Sequence, residues 1–267
     1  MTTAGVLALR TQLRFVGPAP GIGIEVLALR RPEVVLRRTR YDGIVVDERE
    51  LTRAFAWRAP PERVQAMVVA EGRVVFETFV AGPGDVVVLT PAMAGAARFE
   101  RTSFVDLEWT RSGGPLPAAP RLCGRAEAKP LFGAFEDEAR DDRAFFARAF
   151  ALLREAGVDL GHLHAARLEG APSDRDERIA RALEAQLRDL GTRADTVAFG
   201  ELAELSPRQL QRVVDDYCAR YGLNAGTWRD MRNRWRIRIA AALSRAFVNA
   251  GLPPPSVLRA RIGACPS

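Results

Sequence analysis

Between Thr196 and Phe247 the sequence leaves little choice of local structure: a short helix, a tight turn, a second helix, then a long helix dense in arginine. Ser206 stands directly before Pro207, which places an oxygen-bearing side chain at an N-cap and a proline at the first helical position, where its missing N–H costs nothing. In the helix that starts there, Leu210, Val213, Val214, Tyr217 and Cys218 recur at spacings of three and four as one apolar stripe, while Arg208, Gln211, Arg212 and Asp215 fall off it. Such a helix is half core and half surface. Arginine and glutamine bond guanine and adenine edges bidentately in the major groove, which admits an α-helix, so the outer half carries the chemistry of a reader of double-stranded DNA.

The distribution of charge points the same way. The 267-residue chain has a formal net charge of +6, yet from Ser206 to the end eleven arginines stand against three acids, leaving +8 there and about −2 elsewhere. The positive excess therefore lies on the end with the arginine-bearing helix, as a polyanion partner requires. Lys129 is the only lysine, an arginine bias that need not be functional. In the long helix, Trp228, Met231, Trp235 and Ile239 fall at core spacings, whereas Arg229, Arg232, Arg234, Arg236 and Arg238 outnumber the single Asp230. Most of these arginines are expected to be solvated or to neutralise phosphate, Arg232 among them.

The runs Leu205-Ser206-Pro207-Arg208-Gln209-Leu210-Gln211-Arg212, Tyr221-Gly222-Leu223-Asn224 and Trp228-Arg229-Asp230-Met231-Arg232 resemble the first helix-turn-helix and connecting helix of AraC/XylS-type transcriptional regulators. The resemblance implies that Arg208, Gln211 and Arg212 face the groove, that Leu210 anchors the core, and that Ser206 both caps the helix and meets a phosphate. Two departures stand out. The segment Phe199 to Leu205 is about one residue short, with Ala203 or Glu204 where a turn glycine is usual. Further on, Arg236 to Ala241 runs without a break into Ala242 to Phe247, which resembles the middle of the second recognition helix and would place Ser244 and Arg245 on DNA. Ala250 to Arg259 is similar to the closing loop and final helix. On the order of two dozen residues between these pieces are missing, more than one helix and its turn, so the second unit is incomplete. Either Ser244 and Arg245 extend one continuous helix or the tail packs in another way.

Upstream the pattern is β. Candidate strands are Glu25–Leu29, Gly43–Val46, Thr52–Arg58, Val64–Ala70, Val74–Val80, Asp85–Leu89, Ala96–Arg101 and Phe104–Thr110, with Glu71-Gly72 as a hairpin signal. The run Phe79 to Pro91 is similar to the core turn of the cupin barrel that family members place before their DNA-binding half, although a generic sandwich gives nearly the same spacing. The fold class expected is α+β: an N-terminal cupin-like β-barrel or sandwich with a helical pair, then an all-α helix-turn-helix domain. In numbers, these are 1–111, a linker and helical dimerisation segment at 112–170, and 171–267.

Catalytic cupins hold metal through several histidines and a carboxylate, and no histidine precedes His162. Enzymatic activity, a metal and a cofactor are therefore not expected. Glu71, Glu77, Asp85, Glu100, Asp106 and Glu108 are read as solvated edge charge. His162 and His164, two apart, cannot share a helix face and are read as loop or cap residues. Cys123, Cys218 and Cys265 have neither zinc spacing nor an even count, which suits a reducing cytoplasm. Met1 to Arg14 has no signal-peptide pattern and no window approaches a membrane span.

After the proline-stiffened stretch from Ser112 to Pro120, Phe132, Phe135, Phe145, Phe146, Phe150 and Leu153 give an apolar helical face that ends at Gly157. The resemblance makes this face a candidate dimer interface; packing on its own β domain is the equal alternative. A further helix, Arg175 to Leu190, has Ser173 as cap, and its arginines alternate with acids as on a solvated face. The function expected is a sequence-specific, cytoplasmic transcriptional regulator. Its partners are double-stranded DNA, a second copy in a homodimer, a small-molecule effector in the β domain and RNA polymerase. The alternative is a degenerate regulator acting as an interaction or dimerisation module.

Overall fold

Alternation of apolar and polar residues organises the first half of the chain. The computed structural model describes residues 8–16, 21–48, 63–111, 115–137, 141–188, 190, 195–221, 223 and 228–249; the expected strand Thr52–Arg58, the stop at Gly191 and the tail Ala250 to Arg259 lie outside them. The strands are β1 (Leu9–Val16), β2 (Gly23–Arg30), β3 (Val34–Asp42), β4 (Val45–Asp47), β5 (Arg63–Val75), β6 (Val80–Ala81), β7 (Asp85–Leu89), β8 (Arg98–Thr110) and β9 (Arg121–Arg125). They form one antiparallel sheet in the order β1-β2-β3-β8-β5-β7-β9, with β4 on β8 and β6 on β5. The helices are α1 (Pro91–Ala94), α2 (Lys129–Ala134), α3 (Asp142–Glu155), α4 (Asp174–Arg188), α5 (Thr196–Ala203), α6 (Pro207–Arg220) and α7 (Trp228–Asn249).

Register puts Leu36 opposite Leu107 and Ala66 opposite Leu107 on one face, and this face is covered by Phe145, Phe146, Phe150 and Leu153 of α3. Each such side chain contributes about 1.5–3 kcal/mol on burial. The phenylalanine face is thus taken up by the chain's own sheet, and of the two readings of that segment the intramolecular one describes its packing. Asp141 caps α3 through the N–H groups of Arg143 and Ala144, and Gly157, at φ 83°, ends it.

The opposite face holds Ile24, Tyr41, Phe104, Met67 and Val87 at one end. At its other end stand Arg30, Arg37, Arg63, Gln65, Asp106 and Glu108. Asp106 and Glu108 are 1% and 3% exposed, which corrects their reading as solvated edge charge. Arg37 bonds Asp106 Oδ2 at 2.6 Å and Glu108 Oε2 at 2.8 Å, and Arg63 bonds Glu108 Oε1 at 3.1 Å. Alternation selects them: Arg37 sits opposite Asp106, and Gln65 opposite Glu108, on the same face.

The strand expectations change in several places. β1 and β3 match no expected strand, and β9 lies inside the expected linker and helical segment. The expected strand Val74–Val80 is broken: Val75 ends β5, Phe76 N donates to Phe79 O at 2.9 Å in a turn, and Val80 starts β6. The two candidate strands Ala96–Arg101 and Phe104–Thr110 are one, β8, and Glu71-Gly72 is no hairpin turn, because β5 continues through it. Gly72 at φ 69° faces Arg101 at φ 48° where the β5–β8 register shifts: the glycine makes a bulge that bends both strands without ending them. A Cβ on Gly72 would lie 2.6 Å from the Glu100 carbonyl oxygen and closer still to that of Arg101. Gly72→Ala is expected to lower stability by at least 2 kcal/mol, on the order set by strained left-handed backbone plus a backbone clash, read as the shift in urea midpoint.

Candidate nucleic-acid interface

The helix after the short turn is positioned from behind. α4 starts at the Ser173 cap, whose Oγ accepts from Asp176 N at 3.2 Å, and presents Ile179 and Leu183 to a core shared with Phe199, Leu210, Val213, Val214, Tyr217 and Trp228. Asp195 caps α5 by accepting from Val197 and Ala198 N–H at 2.9 and 3.1 Å. Leu205 N donates to Gly200 O at 2.8 Å to close that helix, and Glu204 takes the left-handed conformation, φ 54°, that a glycine would adopt freely. The turn from α5 to α6 is therefore the three residues Glu204, Leu205 and Ser206, tight as expected.

On α6 the apolar stripe Leu210, Val213, Val214, Tyr217 and Cys218 is buried, and Arg208, Gln209, Gln211 and Arg212 are exposed. The Ser206 hydroxyl and backbone N–H both donate to Gln209 Oε1, at 2.9 and 3.3 Å, so the first turn is locked by its own third residue. Gln211 Nε2 donates to both carboxylate oxygens of Asp215, at 2.8 and 2.9 Å, and a base edge must compete for that amide. Burial pushes the Cys218 thiol up to about 12, which keeps it protonated and unreactive.

The C-terminal end of α6 is tied to the start of α4. Asp176 accepts from Arg220 Nη1 and Nη2 at 3.1 and 2.8 Å and from the Tyr221 hydroxyl at 2.9 Å. Burial alone would raise this carboxyl, but the bonds from Arg220, Tyr221 and Ser173 outweigh it and hold it below the ordinary carboxylate range. A depressed folded pKa contributes stability that is fully present above the unfolded value, about 3.9, and is lost as pH falls through the folded one. The difference in Tm between the wild type and Asp176→Asn is therefore expected to be constant from pH 7 to 5 and to shrink below about pH 4, measured by thermal circular dichroism.

α7 is one continuous helix of 22 residues, so Ser244 and Arg245 extend it and no second turn interrupts it. Its arginines divide. Arg236 is exposed; Arg229 Nη2 donates to Thr196 Oγ1 at 2.7 Å, joining α7 to α5. Arg232 is 2% exposed and its Nε donates to the Gln186 carbonyl at 2.9 Å, and Arg238 is ion-paired with Glu48. The expectation that Arg232 meets phosphate is corrected: it lies one turn from buried Trp228, on the side that packs against α4. Ser244 is half-buried and sits about 18 Å further along the helix than Arg232; the Arg245 side chain lies outside the described residues. Of the sequence-derived site, Ser206, Arg208, Gln211 and Arg212 share one exposed region at the start of α6, and Arg232 and Ser244 do not join it.

No local pattern marks the Arg238–Glu48 pair, although Trp235, Arg238, Ile239 and Ala242 fall at helical spacing and mark the docked side. Phe15 stacks on Trp235 with centroids 5.5 Å apart, and Ala242 and Leu187 enter the inner-face core of the sheet. His162 and His164 are exposed in the loop before the turn Ala165–Arg167. Among the described residues no cluster of three or more His, Cys, Asp or Glu could hold a metal, and no helix is long and apolar enough to cross a membrane.

No family model and no curated protein matches the sequence. Among solved structures, the AraC-like transcriptional activator CuxR aligns over 85% of this chain and 85% of its own, at 12% identity and a TM-score of 0.27. Oxalate decarboxylase from Bacillus subtilis aligns over 61% of this chain at 12% identity and a TM-score of 0.22, and the alignment spans 40% of the decarboxylase.

Proposed function

We propose that the chain is a DNA-binding transcriptional regulator of AraC type, in which α5, the turn and α6 act as a helix-turn-helix joined to a cupin-like β half. The observation that carries this reading is the division of α6: five apolar residues buried on one side, and Arg208, Gln211 and Arg212 exposed on the other. The start of that helix is free to enter a groove, where the two arginines reach guanine O6 and N7, and Gln211 reaches adenine once it leaves Asp215. The action is occlusion or recruitment of RNA polymerase, not chemistry. With one such unit among the described residues, a symmetric operator is read by two copies, and an effector is bound by the β half.

Selection from random duplex DNA tests the proposal. The wild type is expected to enrich one motif, and Arg212→Ala to lose discrimination at one base pair by about 1–3 kcal/mol, roughly 5- to 150-fold. Sequence-blind, salt-labile binding by both proteins would count against it and favour the degenerate-regulator alternative.

A further inference from the structure

One buried cation beside the Arg37–Asp106–Glu108–Arg63 ion pairs forms no ion pair of its own among the described residues. Arg30, at the end of β2, is 9% exposed, and its Nη1 has no hydrogen-bond partner among the described residues. Tyr217, on the buried side of α6, is 0% exposed, and its hydroxyl is likewise without a partner among them. The two come to the same seam: Leu9 pairs with Arg30 across β1 and β2 and packs in the same core as Tyr217. A buried guanidinium is almost always ion-paired, and an orphaned pair of donors in a packed interior calls for an acceptor. The nearby acids do not supply it, because Glu108 is taken up by Arg37 and Arg63, and Asp176 by Arg220 and Tyr221.

We propose that Arg30 and Tyr217 form a binding site for one small oxyanion, a carboxylate or phosphate group, at the seam between the sheet and α6. A guanidinium N–H and a phenol O–H are both donors, and an oxyanion accepts from both. The local charge also fits: Arg30, Arg37 and Arg63 face Asp106 and Glu108, and one more negative charge balances the set. Burial, with Arg37 next, pushes the Arg30 guanidinium down to about 10, the direction expected of a cation short of a counter-charge. Because Tyr217 stands on the same helix as Arg208, Gln211 and Arg212, an anion here bears on how that helix is held against the sheet. This last link deepens the proposed function; the binding itself does not depend on it.

Thermal unfolding of the full chain, without DNA, tests the site, so its failure and that of DNA reading are separable. Sodium acetate and inorganic phosphate are the probes, each titrated against sodium chloride at equal ionic strength, in the wild type, Arg30→Met and Tyr217→Phe. The wild type is expected to gain roughly 5–10 °C in Tm at a hundredfold excess over the dissociation constant of the preferred anion. Arg30→Met should lose the gain and be no less stable than the wild type at low salt. Tyr217→Phe should weaken half-saturation roughly 3- to 10-fold. A preference for acetate indicates a carboxylate ligand, and one for phosphate a phosphoryl ligand. A wild-type response that Arg30→Met reproduces in full, or an unchanged half-saturation in Tyr217→Phe, overturns the proposal.

Discussion

Asp106→Ala is expected to lower the stability of the folded chain by about 3–5 kcal/mol, because it removes one member of a buried ion pair and leaves the other charged. Asp106 is 1% exposed and holds Arg37 through two bonds to Oδ2, at 2.9 and 2.6 Å. Without it, Glu108 alone remains to neutralise Arg37 and Arg63, which it already bonds from separate oxygens. The pairs themselves need add little net stability, since desolvating both partners offsets most of their attraction. The loss comes from stranding a guanidinium, not from deleting a favourable bond. Asp106→Asn keeps an acceptor for Arg37 and should fall between the two proteins, whereas Asp106→Ala combined with Arg37→Met should recover much of the loss. Urea denaturation measures all three, and a loss below about 1 kcal/mol in Asp106→Ala would mean that Arg37 finds another counter-charge.

That cluster also shows where the sequence stops being readable. A strand buried on both faces reads as a continuous apolar run, and the expected strand Asp85–Leu89 matches β7 to the residue on that signal. β3, in contrast, reads Leu36-Arg37-Arg38-Thr39-Arg40, and so much charge suggests solvent. Its Arg38 turns to the other face and pairs with Glu25 and Glu136 at 2.7 and 2.8 Å, so both faces of this strand carry charges matched by residues far away in sequence. Local pattern contains no such information. The same holds for α6 and α7. The stripe from Leu210 to Cys218 was legible because helical spacing alone decides it, and the exposure of Arg208, Gln211 and Arg212 follows from it. Whether Arg232 or Arg238 meets water or protein depends on which side of α7 lies against α4 and the sheet. Spacing from Trp228 hinted at it, but the excess of arginine over Asp230 favoured solvent. The single bend at Gly72 misled in another way, since a bulge and a hairpin turn ask the same left-handed backbone of a glycine.

Arg238→Ala is expected to cost about 3 kcal/mol and to loosen α7 from the sheet, because it removes the ion-pair partner of Glu48, which is 4% exposed. Arg238 also lies over the Trp235 ring, 4.8 Å from its centroid, a contact worth about 0.5–2 kcal/mol in a partly desolvated place. Two separable losses follow. Glu48→Gln removes the charge and leaves Arg238 its aromatic neighbour, so it should cost less than Arg238→Ala. The double variant Glu48→Gln, Arg238→Met should regain stability relative to the sum of the single changes, a coupling of 0.5–3 kcal/mol in the range of contacting pairs. Tryptophan emission reads the docking in part: Trp235 stacks on Phe15 across the seam, so a loosened α7 shifts its share of the emission to the red, while Trp228, 5.0 Å from Phe199 within the helical core, and Trp109, 2% exposed in the sheet, hold their environments. On the proposed function, DNA binding should then survive in Arg238→Ala, since Arg229 and Trp228 still fasten α7 to α5. Unaltered emission together with unaltered stability would place the attachment of α7 elsewhere, on the apolar contacts of Ile239 and Ala242 with the inner face.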